Sequence, residues 1–227
     1  MSESRGPERG VALIIVLLVM LTLSALAMAL ALVTSTEIRV AAAYRDGLEV
    51  LYATDAAVER AIRDLAMEPD IDNVLSGLTM SSFIDGPPGV RIFPDGTSTD
   101  LRSLTGMVSC GRAVCSDADL DADGDDRPWG RNNPRWRLYA YGSLDARASG
   151  RVREPNVYQV VWIADDPSET DGDPTRDGGG AGMESAGRGR LSLLAHGYGR
   201  SGTRRIVEAA VMVDDEGSRL VSWREVR

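Results

Sequence analysis

The sequence predicts an α+β fold in which one long amino-terminal helix, first apolar and then amphipathic, packs on a carboxy-terminal antiparallel sheet. Three observations predict it. Val11 to Val33 is an uncharged apolar run, the pattern then turns amphipathic with no proline before Pro69, and later segments alternate in the manner of strands. Composition narrows the chemistry. All 25 basic residues are arginine, which excludes a phosphate-loop lysine, a Schiff-base lysine and a polylysine tail. A net charge of −9 argues against nucleic acid as a partner, since its phosphates are repelled over most of such a surface. One histidine, His196, and two cysteines, Cys110 and Cys115, are too few for zinc sites built from His and Cys clusters.

The apolar run is 23 residues long, interrupted only by Thr22 and Ser24. As a helix it measures about 35 Å, enough to cross a hydrocarbon layer of roughly 30 Å with a little tilt. Signal-peptidase cleavage after Ala25-Leu26-Ala27 is the alternative, but the apolar run continues past that point. Orientation is weakly specified, because Arg5 and Arg9 precede the run and Arg39 and Arg45 follow it.

Beyond the run, Ile38, Ala41, Tyr44, Leu48, Leu51, Val58, Ile62 and Leu65 recur three or four apart or at multiples of that step, with Asp55 the one break in the stripe. The spacing predicts that the helix continues over 34–67, for a total of about 85 Å from Val11 to Met67. Gly47 is its one internal glycine and a weak point.

Two blocks of residues carry a family resemblance. Arg9-Gly10 followed directly by Val11-Ala12-Leu13-Ile14-Ile15-Val16-Leu17-Leu18 resembles the leader junction of type IV prepilins and type II secretion pseudopilins. Thr34-Ser35-Thr36-Glu37, Ala43-Tyr44-Arg45-Asp46 and Tyr52-Ala53-Thr54-Asp55-Ala56-Ala57 resemble the PilX N-terminal region of minor pilins. The resemblance implies a leader over 1–10, cut by a prepilin peptidase between Gly10 and Val11 with methylation of the new amine. It also implies a single-pass protein of the bacterial inner membrane with a periplasmic domain over 68–227, feeding a surface filament. The implied partners are other pilin subunits, the pilus assembly platform, a tip adhesin and membrane lipid. In fibre-forming members the fifth mature residue is a glutamate that pairs with a neighbour's terminal ammonium, whereas here it is Ile15. That departure implies a subunit at or near a filament tip, as in K-type pseudopilins, or else a plain signal anchor. Ala25, Ala27, Ala29 and Ala31 give small-xxx-small spacings suited to close helix packing.

From Pro69 to Pro134 the chain is rich in Asp, Gly, Ser and Pro and reads mostly as loops with one or two strands. Strands are predicted over 135–141, 157–163, 190–196, 205–213 and 220–223, four of them as a meander covering the amphipathic half of the helix. Gly197-Tyr198-Gly199-Arg200-Ser201-Gly202 spells a dinucleotide fingerprint, but the strand-like segment after it makes this a hairpin. His196 has no neighbouring nucleophile in sequence and reads as structural.

Asp117 to Asp126 holds six carboxylates in ten residues. From Asp119 the spacing of Asp119, Asp121, Asp123, Gly124 and Asp125 opens like a calcium loop, yet position twelve is Gly130 instead of a glutamate. The segment therefore reads either as a looser calcium site or as a solvated acidic loop. A second acidic stretch, 165–189, has seven glycines and two prolines and reads as an insertion between strands. Cys110 and Cys115 are expected to form a disulfide in an oxidising compartment, a local pin contributing about 2 kcal/mol. The expected function is that of a non-enzymatic minor pilin-like subunit in type IV pilus assembly. The alternatives are a K-type pseudopilin, or a membrane-anchored envelope enzyme or binding protein without a filament role.

Overall fold

The computed structural model describes residues 8–125, 127–143, 156–168, 172–178 and 187–226. Residues 1–7 of the expected leader, Asp126, and residues 169–171 and 179–186 of the second acidic stretch lie outside them. The chain divides into two units, Met1–Arg45 and Asp46–Arg227. Helix α1, Glu8–Leu65, supplies all the described structure of the first unit and enters the second. Its length follows from the sequence: no proline interrupts it, and leucine and alanine dominate its first half. In the first unit every side chain from Gly10 to Arg45 is exposed.

The second unit is built on a five-stranded antiparallel meander in chain order. Introduced after the short hairpin strands β1 (Val90–Ile92) and β2 (Ser98–Asp100), its strands are β3 (Arg137–Gly142), β4 (Val157–Asp165), β5 (Arg190–Gly199), β6 (Arg204–Asp214) and β7 (Gly217–Val226). All five expected strands are present, and the meander uses all of them. β4 is buried at every position, which is why Val157–Asp165 reads as a nearly continuous apolar run: both faces of this strand are covered. The free side of β3 is closed by residues 81–84, where the Ser81 amide donates to Tyr139 O (3.0 Å) and the Tyr141 amide donates to Phe83 O (2.9 Å).

One sheet face packs on the second-unit part of α1. Ala57, Val58, Ala61, Ile62 and Leu65 meet Val161, Ile163, Leu191, Leu193, Ala195, Val207, Ala209 and Val211. Along β5 this row runs Leu191, Leu193, Ala195, Gly197, Gly199, so side-chain size falls toward one end. The helix comes closest at that end. A Cβ on Gly197 would lie 2.0 Å from Thr54 Oγ1 and 3.0 Å from Val50 Cγ1, and one on Gly199 would lie 2.6 Å from Val50 Cγ2. Gly197 and Gly199 of the apparent dinucleotide fingerprint are therefore a helix-docking surface, Gly202 lies in the turn, and the β5–β6 hairpin reading holds.

This contact corrects the expected helix stripe. The buried residues of α1 are Gly47, Val50, Thr54, Ala57, Val58, Ala61, Ile62 and Leu65, while Ile38, Ala41 and Tyr44 are exposed and Leu48 and Leu51 half-buried. The expected stripe is right at Val58, Ile62 and Leu65 and fails before them, where the sheet approaches closely and Gly47, Val50 and Thr54 take the contact in place of Tyr44, Leu48 and Leu51. Ion and hydrogen-bond contacts tie the helix end down. Burial works against the charge on Asp64, yet hydrogen bonds from Ser81 and Ser82 and the Arg60 charge outweigh it and hold the carboxyl below its usual range.

The opposite face of β3–β5 carries a second layer that the sequence reading did not anticipate. Helices α2 (Ile71–Leu75), α3 (Leu101–Cys110) and α4 (Asp117–Asp121) lie in the segment expected to be mostly loop; α3 forms this layer, whereas α2 puts Val74 and Leu75 into the core on the α1 side. α3 is capped at both ends: Asp100 accepts from the Arg102 amide, and Gly111, at φ 75°, closes the helix by donating to Met107 O. The Trp162 indole donates to Thr105 Oγ1 (2.9 Å), fastening α3 to the sheet over a core of Phe93, Leu101, Tyr141, Tyr158, Val160 and Trp162.

His196 belongs to this layer. Its ring meets Trp162 edge-on at 4.8 Å between centroids, and its Nδ1 lies 3.1 Å from both Tyr198 Oη and Arg204 Nη2. Burial, reinforced by the Arg204 charge, pushes the imidazole down to about 3, so it is neutral and accepts from the guanidinium. An unfolded chain takes up this proton near its ordinary value of 6.5 while the folded chain does not. Stability is therefore lost as pH falls below 6.5 toward 3, at about 1.4 kcal/mol per pH unit from this group. Thermal melts of the full chain in detergent between pH 7 and pH 4.5 are expected to show that slope, and a His196→Gln chain is expected to lose it.

Candidate functional site: the apolar helix and its junction

The site begins at the first turn of α1. Gly10 and Val11 fall within the helix, close behind its first described residue, Glu8. Gly10 is exposed, and a Cβ there would meet nothing within 4 Å. The peptide bond between them thus joins two exposed residues, one of which tolerates an extended backbone.

From Val11 to Val33 the helix presents apolar side chains on every face, and α1 is long and apolar enough to cross a membrane. Its hydroxyls are answered within the helix itself. Thr22 Oγ1 donates to Val19 O (2.9 Å) and Ser24 Oγ to Met20 O (2.8 Å), while Ser35 and Thr36 both donate to Leu32 O. No polar group in this stretch needs water. Leaving such side chains in water costs roughly 1.5–3 kcal/mol for each large one, so the segment requires lipid or other helices around it.

Ile15 is 55% exposed and apolar, in the middle of this uncharged surface. The alanines expected to pack against other helices are exposed as well. At 100° per residue Ala25 and Ala29 share one side of the helix, and Ala27 and Ala31 share nearly the opposite side, so two narrow tracks permit close approach.

In the second unit Cys110 and Cys115 are joined by a disulfide. The bridge closes the turn at the end of α3, and Cys115 lies against Gly106, whose missing side chain admits the carbonyls of Arg112 and Ala113. The four aspartates considered for calcium are not all drawn together, since Asp121 is turned away from the others. Asp117–Asp121 is a helical turn, which sends Asp119 and Asp121 to different sides. Asp119 completes a capping box with Ser116 and pairs with Arg112 at 2.5 Å, while Asp121 pairs with Arg135. The Ser116 amide and hydroxyl, then Arg112, hold Asp119 below the usual carboxylate range. Asp119, Asp123 and Asp125 line one hollow of about 290 Å³ together with Cys110, Arg112 and Arg127, and Asp121 is not among its lining residues. Among the described residues no three His, Cys, Asp or Glu side chains form a group that could hold a metal ion. Sequence spacing alone did not foresee that arginines would answer these carboxylates.

Comparison with known proteins places the helix. A family model described as PilX N-terminal matches residues 9–59, the stretch that contains the junction, the apolar run and the first helical turns docked on the sheet. No curated protein and no solved structure matches the chain.

Proposed function

We infer, from a PilX N-terminal segment that occupies residues 9–59, that this chain is a minor pilin-like subunit of a type IV pilus. The observation that carries the reading is the helix itself: an exposed, uncharged, apolar start whose polar groups are all satisfied internally, continuous with a part that docks on a folded domain. Such a helix is held in a bilayer before assembly and among the helices of neighbouring subunits afterward. Transfer between the two exchanges lipid contacts for packing contacts and exposes no charge. A prepilin peptidase trims the chain between Gly10 and Val11, and the assembly platform moves the trimmed subunit from the inner membrane into the filament with its β-rich domain outside.

Ile15 sets the place of the subunit. A carboxylate at that depth would cost at least about 2.5–3.5 kcal/mol unless a neighbour's ammonium covered it. With isoleucine there the helix needs no subunit positioned to supply that charge, which suits priming of assembly or residence at the tip, where a tip adhesin or other minor subunits contact its loops. Probing sheared filaments and membranes of the producing cells with an antibody to the second unit tests this. The expected result is a minor amount in the filament fraction and fewer filaments when the chain is deleted. Confinement to the membrane fraction with normal filaments would overturn the reading.

A further inference from the structure

The chain is acidic overall, yet one groove has the opposite character. A hollow of about 300 Å³ lies between α3, the disulfide loop and the start of β3. Arg102, Arg135 and Arg137 line it together with Trp136, Leu120 and Val114, and no carboxylate is among its lining residues. Its volume is at the small end of ligand pockets, which run roughly 300–1,000 Å³.

The guanidiniums are under-answered. Arg102 makes no ion pair among the described residues, whereas Arg137 turns its guanidinium to the other sheet face, where it donates to Leu75 O at 3.3 Å. Arg135 gives Nη2 to Asp121 but keeps Nη1 buried without an acceptor. The neighbouring Arg127 registers the same excess: burial first, and then the Arg135 charge, push it below the usual arginine value. Unpaired guanidiniums beside a tryptophan and aliphatic walls have the composition of a protein-binding hot spot. The apolar surface also continues past the groove, since Val114 is 82% and Met107 52% exposed. A bare inorganic anion would leave that apolar rim uncovered.

We propose that this groove binds an acidic peptide segment of a partner protein, with a side-chain carboxylate or a chain terminus held by Arg102 and Arg135 and an adjoining apolar side chain against Trp136, Leu120 and Val114. Guanidinium and carboxylate make paired, charge-assisted hydrogen bonds, and the walls exclude water from them. The disulfide and the close fit at Gly106 hold one wall in place without a partner, so little ordering is needed on binding. The inference stands on the second unit alone and does not depend on which filament the helix serves.

The test uses the full chain in detergent micelles and a fluorescein-labelled six-residue peptide amide containing Leu, Asp and Glu, with its Asn and Gln counterpart as the neutral probe. Fluorescence anisotropy is expected to show the acidic peptide binding about tenfold more tightly than the neutral one, an advantage reduced by salt. Arg102→Gln is expected to weaken it about threefold or more with an unchanged melting temperature, because this arginine has no ion partner to lose. Equal binding of the two peptides, binding of neither, or indifference to Arg102→Gln would overturn the proposal. Displacement of the peptide by inorganic phosphate at similar concentration would do so too, because it would mark a simple anion site.

Discussion

A Gly197→Val chain is expected to melt about 10 °C below the parent, a loss of roughly 3 kcal/mol or more for a domain of this size. Glycine within a strand ordinarily weakens it, so a larger residue in β5 should help if only local preference mattered. Here the sign reverses. Even the first carbon of a side chain would lie 2.0 Å from Thr54 Oγ1, and Thr54 is fully buried with its hydroxyl bonded to Val50 O at 2.7 Å. Thr54 has no free rotamer to retreat to, and Val50 closes the other side. Helix and sheet must separate over the whole contact, which opens the core around Ala57, Ala61 and Ala195 to water. Gly89→Ala is the control, because a Cβ there meets nothing within 4 Å and its effect should stay within about 0.5 kcal/mol. Circular-dichroism melts of the three chains in the same detergent decide the matter.

Removal of residues 1–45 has the second large effect, on location and not on stability. The side chains from Gly10 to Arg45 are all exposed and contribute nothing to either core, whereas the second unit carries its own helix segment, sheet and opposite layer. The fragment Asp46–Arg227 is expected to be soluble without detergent and to melt within a few degrees of the full chain. The full chain is expected to remain with membranes after a salt wash, since an apolar segment of about 20 residues partitions far more strongly than surface charge can. Fractionation of cells expressing each chain reads the difference directly. A fragment that stays with the membrane, or that fails to fold, would contradict the division of labour along α1.

Much of this was legible in the residues. A proline-free stretch with an apolar first half gives the long helix, and alternating β-branched and aromatic segments give all five strands of the sheet. Periodicity failed where the packing surface is made of small residues: Gly47 and Thr54 carry no hydropathy signal, and their role appears only in the structure, where Thr54 meets Gly197 of β5 and Gly47 lies against Arg205. α3 was hidden because it is one short amphipathic helix with an internal glycine, although Asp100 and Gly111 stood in sequence as its caps. The acidic run at 117–126 suggested a converging loop. Its geometry is instead set by Arg112 and Arg135, of which Arg135 is 14 residues from its partner Asp121, and single-sequence spacing does not carry such pairings. The arginine groove has the same origin, being assembled from α3, the disulfide loop and β3.

If the amino end of α1 is a processed filament-packing helix, as proposed, protein recovered from its native membrane carries the mark of processing at that end. Mass spectrometry of the amino-terminal peptide is predicted to show a chain that begins at Val11 with a methylated amine. A chain that keeps Met1 and Gly10 intact, or one that begins beyond Ala27 with the apolar run removed, would contradict the account.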